Sequence, residues 1–370
     1  MKIPIEIIKT VNKVVPYRIK RIIRRRFSTL DYELELRHEQ NPYRNVPELK
    51  LHESRYPFTL GIIRDLSQYH ANYIAACREL RVAYKTLDIF KSDWQKEFEI
   101  CNCDIFLVWP EVTLTVWREM FDERLKILTE ELNKEIFPSY KEIWFYENKR
   151  RVREWLVAHD IPHPRTWIFY KLEEAMEFLK TVNFPIVRKT ALGAGSHGVK
   201  ILYNRKEAEK DVKMAIKKGI VPERMDPRDK QWGYVILQEY IPHEYEWRIA
   251  RIGDSFIFRK KIKRGAFASG SGVLVYEKPP IELLNFAKWV TDIGNFKSMA
   301  VDIFETKDGY LVNELQSLFG ARPLPVTKET GRFIFKDGEW IFEHGDFYKN
   351  AAANLRVEYV IQQLQQKRKK

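Results

Sequence analysis

The sequence predicts a mixed chain, α/β in its first part and α+β in its second: a small parallel sheet domain, then a larger body of antiparallel sheets. Three observations carry this expectation. Across residues 58–110 strand-like and helix-like patterns alternate, as parallel βαβ units require. Residues 246–261 and 299–316 each read as two alternating runs around a glycine-containing turn, which is a hairpin signal. Between these regions, FPIVRKT and VKILY flank a loop that holds Gly193, Gly195 and Gly198, so the chain runs strand, glycine loop, strand.

At 370 residues the chain has room for two or three domains. The pattern divides it into a basic N-terminal segment and connector at 1–55, the parallel domain at 56–140, the antiparallel body at 141–355, and a helix end with a basic tail at 356–370. The formal net charge of +13 sits at the ends: residues 1–30 hold nine Lys/Arg against one Glu, and residues 367–370 add four cations. The folded body is close to neutral, which argues against a nucleic-acid binder, since that needs a basic face on a domain. Three cysteines make no disulfide framework and point to a reducing, cytoplasmic setting. No long uncharged apolar run and no leader with an apolar core are present.

In chain order, residues 16–27 read as a basic amphipathic helix, with Ile19, Ile22, Ile23 and Phe27 on one stripe. Such a helix suits the anionic inner face of a membrane, or docks on its own protein. Residues 31–56 read as an irregular polar connector. FTLGIIRDL, VAYKTLDIF and DIFLVWP are strands separated by helices, and 111–137 continues as helix until Pro138. A sheet of this kind binds its ligand at the carboxyl ends of its strands, where Asp65-Leu66-Ser67-Gln68 lies.

Residues 148–159 read as a helix with Lys149 in its first turn. The glycines at 193–198 match a dinucleotide fingerprint literally, yet that motif needs a helix to begin there, and VKILY is a strand. The loop is either a plain hairpin turn or a flap that offers backbone N–H groups to phosphates. Lys189 just before it favours the flap. Residues 211–232 read as a polar excursion, and 234–240 as a strand whose end at Glu239–Ile241 offers backbone groups to a purine edge.

In the hairpin 246–261 a Gly253-Asp254 turn sets Arg248 opposite Arg259 and Glu246 opposite Lys261. Two arginines face to face repel unless an anion lies between them. Residues 263–272, KRGAFASGSG, are a second candidate phosphate or substrate loop. In the hairpin 299–316 a three-residue loop, Lys307 to Gly309, closes Thr306 against Tyr310 and sets Asp302 opposite Glu314, with Gln316 on their face. Opposed carboxylates are either a solvated outer face or the grip on a divalent cation; hard oxygen donors suit Mg²⁺ shared with substrate phosphates. Arg322 follows just past them, and residues 347–370 read as a terminal helix.

Taken in this order, the stretches resemble the ATP-grasp superfamily of carboxylate–amine and carboxylate–thiol ligases: Asn148-Lys149, FPIVRK, the glycine flap, QEYI, the charged hairpin, then VD with NELQ. The resemblance implies a two-lobed antiparallel body behind a small α/β domain. By it, Lys149, Lys189, Gly195, Ser196 and Gly198 meet ATP phosphates, Glu239 and Ile241 flank the adenine, and Glu246 faces the ribose. Asp302, Glu314 and Gln316 hold Mg²⁺, while Arg248, Arg259 and Arg322 steady the transferred phosphoryl group or the carboxylate. The implied reaction forms an acyl phosphate, from a small-molecule or glycan carboxylate, that an amine attacks; a hydroxyl acceptor on the same scaffold, or a nucleotide-binding protein without catalysis, are the alternatives. A homodimer is a further expected partner state. Gln316 replaces the usual Asn, Asn148 the usual Asp, and Ala300 an arginine of the D-alanine ligases, which argues against those enzymes specifically. The C-terminal GDFYKNAAANLRVEYVI resembles members tied to bacterial surface polysaccharides.

Overall fold

A computed structural model describes residues 30–49, 53–193, 195–222, 225–319 and 326–369, with residues 10, 14–16, 19 and 28. Arg322 and most of the basic stretch 1–30 lie outside these. The first sheet is parallel: β1 (Thr59–Ile63), β2 (Ala83–Leu87), β3 (Ile105–Leu107) and β4 (Ile136–Phe137), in the order β2-β1-β3-β4. Leu60, Ile62, Phe106 and Leu107 are fully buried, as expected of a sheet covered on both faces.

The expected helix through 137 ends early. An α-helix spans Thr115–Lys126, a π-turn follows at Ile127–Glu131, and Ile136-Phe137 then pair with Phe106 and Leu107. A two-residue strand carries no readable period, so only pairing reveals it. The connector at 31–56 is also corrected, since Leu30–Gln40 is a helix. LDYELELRHEQ has no apolar stripe and buries only Leu30, but Asp31 and Glu33 sit in its first turn and Arg37 and His38 in its last, which suits the helix dipole.

The second sheet is antiparallel: β5 (Thr166–Phe169), β6 (Ile186–Lys189), β7 (Val199–Leu202) and β8 (Val235–Glu239), in the order β5-β8-β6-β7. Part of the expected polar excursion is the helix Arg205–Lys217, capped by Asn204, whose side chain accepts from Glu207 N at 3.0 Å. Its buried stripe is small (Ala208, Val212, Ala215), so surrounding charges masked the period.

The third sheet has β9 (Tyr245–Ile252), β10 (Ser255–Ile262), β11 (Leu274–Val275), β12 (Ser298–Thr306), β13 (Gly309–Gln316), β14 (Gly331–Lys336) and β15 (Glu339–His344). The order is β13-β12-β9-β10-β14-β15, with β11 beside β10. Trp247, Ile249, Val301 and Ile303 share one core with Leu283, Leu284 and Val290 of the helix Ile281–Gly294. Side chains alternate across a strand, so Glu246, Arg248 and Asp302 face the other way.

The terminal helix is Ala353–Lys367 rather than starting at 347, a 3₁₀ turn at Lys349–Ala352 preceding it. It returns to the parallel sheet and sinks Val357, Val360, Ile361 and Leu364 into that core. Each such side chain contributes about 1.5–3 kcal/mol on burial. No helix among the described residues is long and apolar enough to cross a membrane.

Candidate active site

The register of the third sheet lines up four charged side chains across four strands. Arg259 on β10 pairs with Arg248 on β9, Arg248 with Asp302 on β12, and Asp302 with Glu314 on β13. The two like-charge pairs expected from the hairpins are therefore real, and the fold sets them side by side. Arg248 grips Asp302 with both arms, Nε at 2.6 Å and Nη2 at 2.7 Å, while Lys261 Nζ reaches the same carboxylate at 2.5 Å. Arg259 lays its guanidinium 3.5 Å from the Tyr348 ring centre, a cation–π contact. Lys261 also pairs with Glu246, as the register predicts.

The Asp302–Glu314 pairing arises differently from the expectation. Thr306 pairs with Gly309, not Tyr310, so the loop is only Lys307-Asp308. The Thr306 hydroxyl tightens it by accepting from Asp308 N at 3.2 Å. That register alone would face Asp302 with Asn313. A β-bulge after Asp302 leaves Asn313 without a partner on β12 and restores Glu314 opposite Asp302. The bulge also re-aims Asn313: its Oδ1 accepts from Lys189 Nζ at 2.8 Å and its Nδ2 donates to Glu246 at 2.7 Å.

Asn148 caps the helix Lys149–Ala158, its side chain accepting from Arg151 N at 3.3 Å. Lys149 thus opens the helix with its ammonium 2.9 Å from Glu314 Oε1 and 2.9 Å from the Gly193 carbonyl. Burial lowers the Lys189 ammonium to about 8, although Glu314 beside it opposes this. Burial alone would raise the Asp302 carboxyl, but Arg248 and Lys261 pull it below the usual carboxylate range. Burial pushes the Glu147 carboxyl up, against the pull of Lys149.

Lys149, Lys189, Gly195, Ser196, Glu239, Ile241, Glu246 and Glu314 line one narrow pocket between the second and third sheets. Arg248, Arg259, Glu314 and Gln316 line an adjoining cleft of about 660 Å³. Glu314 borders both, so the two are continuous there. Asp302 lies beneath, its side chain 1% exposed, covered by Arg248 and Lys261. Gly198 sits at the base of the flap, where an added Cβ would meet Thr190 Oγ1 at 1.8 Å. Ser196 Oγ donates to the Ser269 carbonyl at 2.8 Å, which joins the flap to the loop 263–272.

Asn313 and Glu147 were not expected. Glu147 takes a left-handed conformation (φ +52°) and its carboxylate accepts from Gln316 Nε2 at 3.2 Å. No local signal marks the bulge at Asn313: Asp308-Gly309 read as a two-residue turn would close Lys307 on Tyr310 and set Asp302 opposite Leu315. Asp302, Glu314 and Gln316 offer oxygen donors of the kind Mg²⁺ takes, the carboxylates of Asp302 and Glu314 being held here by Arg248, Lys261 and Lys149, and no group of three or more described His, Cys, Asp or Glu could hold a metal ion.

Comparison with known proteins agrees with this architecture. The alpha-aminoadipate–LysW ligase LysX of Saccharolobus solfataricus is 26% identical over 280 residues, 67% of this chain and 91% of that protein. A RimK domain ATP-grasp protein from Sphaerobacter thermophilus aligns over 82% of this chain and 99% of its own, at 15% identity and a TM-score of 0.51. D-alanine–D-alanine ligase from Bacillus anthracis aligns over 84% and 99%, at 16% identity and a TM-score of 0.54. At such identities the structural likeness shows the fold. The model of the RimK-like ATP-grasp domain matches residues 146–330, half of the chain, and the protein belongs to that family.

Proposed function

We propose that this protein is an ATP-dependent ligase that activates a carboxylate as an acyl phosphate and passes the acyl group to an amine. The observation that carries the reading is the continuity at Glu314: the lysine-lined pocket and the arginine-lined cleft meet at the carboxylate opposite Asp302. The activity of its relative, an alpha-aminoadipate–LysW ligase, supports it.

In this reading ATP lies in the narrow pocket with its adenine near Glu239–Ile241 and its ribose near Glu246. Lys149 and Lys189 exchange Glu314 and Asn313 for phosphate oxygens, and the 193–198 flap covers them. Asp302, Glu314 and Gln316 would hold Mg²⁺, which would supply charge neutralisation on the phosphates. Arg248 and Arg259 neutralise charge on the transferred phosphoryl group from the cleft side. Phosphoryl transfer needs positioning and charge stabilisation rather than a protein nucleophile, and this site offers both.

The carboxylate belongs to a glycan or cell-surface precursor, and residues 1–30 rest on an anionic membrane face, as their basic amphipathic pattern suits. ADP release and hydroxamate formation with hydroxylamine as acceptor test the chemistry. Full activity in Asp302→Ala or Glu314→Ala refutes it, and a phosphorylated hydroxyl without hydroxamate assigns phosphotransfer instead. Unchanged binding to anionic liposomes after deletion of residues 1–30 refutes the membrane contact.

A further inference from the structure

The cleft has a second wall, and that wall belongs to the parallel sheet. In the order β2-β1-β3-β4 the chain leaves β1 toward β2 and leaves the adjacent β3 the other way, toward β4, so a crevice opens between the loops that follow β1 and β3. Those loops are laced together by Glu111. Its Oε2 accepts from Ser67 N at 2.7 Å, and its Oε1 from Ser67 Oγ at 2.9 Å and Thr113 N at 2.9 Å. Gln68 sits in the left-handed region at φ +64°, a strained conformation for a side-chain-bearing residue, and turns the chain into Tyr69. Tyr69 N and His70 N are held in turn by the Asp65 carboxylate at 3.0 and 2.7 Å.

The product of this lacing is a flat aromatic platform. The Tyr69 ring stacks on Trp109 with centres 5.1 Å apart and planes 17° from parallel. Trp109 is 1% exposed and donates its indole N–H to Tyr146 Oη at 3.3 Å, so it is a fixed support. Tyr69 keeps 37% of its surface open and borders the same cleft as Arg248 and Arg259. At its edge Arg37, from the helix Leu30–Gln40, donates to Ser67 Oγ at 2.6 Å.

We infer that the carboxylate substrate is a sugar acid, a pyranose ring that lies on Tyr69 and turns its carboxylate to Arg248 and Arg259. The inference rests on the ligase reading. A pyranose has one face of C–H groups, which an aromatic face covers, and an edge of hydroxyls, which Arg37, Ser67 and Thr113 meet as donors and acceptors. An acyclic acid such as glutamate has no ring of C–H groups to place there. Cationic groups on the far wall supply the complement to the acid.

The test is binding, independent of turnover: saturation-transfer NMR on the full chain with MgADP present, using D-glucuronate and D-galacturonate as probes, with L-glutamate and a glutamate-ended peptide beside them. The expected result is saturation of the sugar ring protons, kept in Tyr69→Phe and weakened about tenfold in Tyr69→Ala. The MgADP affinity of both variants stays at the wild-type value and each still melts in one cooperative transition, which excludes misfolding. No saturation of either hexuronate, equal binding in Tyr69→Ala, or Tyr69-dependent binding of the peptide in preference to the sugars overturns the assignment. If a hexuronate binds through Tyr69 but no amine or hydroxylamine with ATP releases ADP, the sugar site stands and the ligase reading falls.

Discussion

Asp302→Asn removes one charge from the most buried part of the site. Three charge-assisted hydrogen bonds end on that carboxylate, at 2.6, 2.7 and 2.5 Å, from Arg248 and Lys261. Bonds to charged groups contribute about 1.5–3 kcal/mol each, so the gross loss is roughly 4.5–9 kcal/mol. Two features return part of it. Lys261 keeps Glu246, and the Arg248 side chain retains 18% exposure through which water solvates it. The expected net cost is about 3–5 kcal/mol, the range for a buried pair broken on one side. Urea unfolding followed by tryptophan fluorescence measures it. Asp302→Leu combined with Arg248→Met strands fewer charges, so the double variant is less destabilised than the two single costs predict. The native carboxyl ionises below its usual range, so its contribution is complete above about pH 4 and fades as pH falls below that. A cost under about 1 kcal/mol for Asp302→Asn, or strict additivity in the double variant, refutes the picture of Asp302 as the hub of the charge row.

Three further outcomes follow from the same geometry. Lys189→Met weakens MgADP binding by about 1.5–3 kcal/mol, read by titration calorimetry, since one charged donor to phosphate is lost. Phosphate favours the charged lysine and the Lys189 ammonium stands near 8, so nucleotide affinity falls as pH rises through about 8; Lys189→Arg, always charged, flattens that dependence. Gly198→Ala forces a Cβ against Thr190 Oγ1 at 1.8 Å, so the flap shifts and the KM for ATP rises; steady-state kinetics with an unchanged KM would show that the flap does not govern nucleotide binding.

Much of the architecture was legible in local pattern. The strand–helix alternation announced the parallel sheet, and the Gly253-Asp254 turn set Arg248 against Arg259. The Asp302–Glu314 pairing was also reached from the sequence, but through a loop one residue too long. The true turn is shorter and the bulge at Asn313 makes up the difference, and a bulge leaves no mark on an alternating pattern. The helix Leu30–Gln40 escaped because its apolar residues, Leu30, Tyr32, Leu34 and Leu36, recur every second position and form no helical stripe, and its Arg37 is what edges the aromatic platform.

By itself the chain determined its local periods, its turns and which residue types stand opposite one another within a hairpin, because those depend on neighbours a few positions away. Only the folded molecule decided that β12 lies beside β9, so that Arg248 neutralises Asp302, and that the loops after β1 and β3 face the same cleft. Strand order and domain packing are settled by burying apolar faces drawn from distant segments, and that energy is a property of whole surfaces which no short window contains.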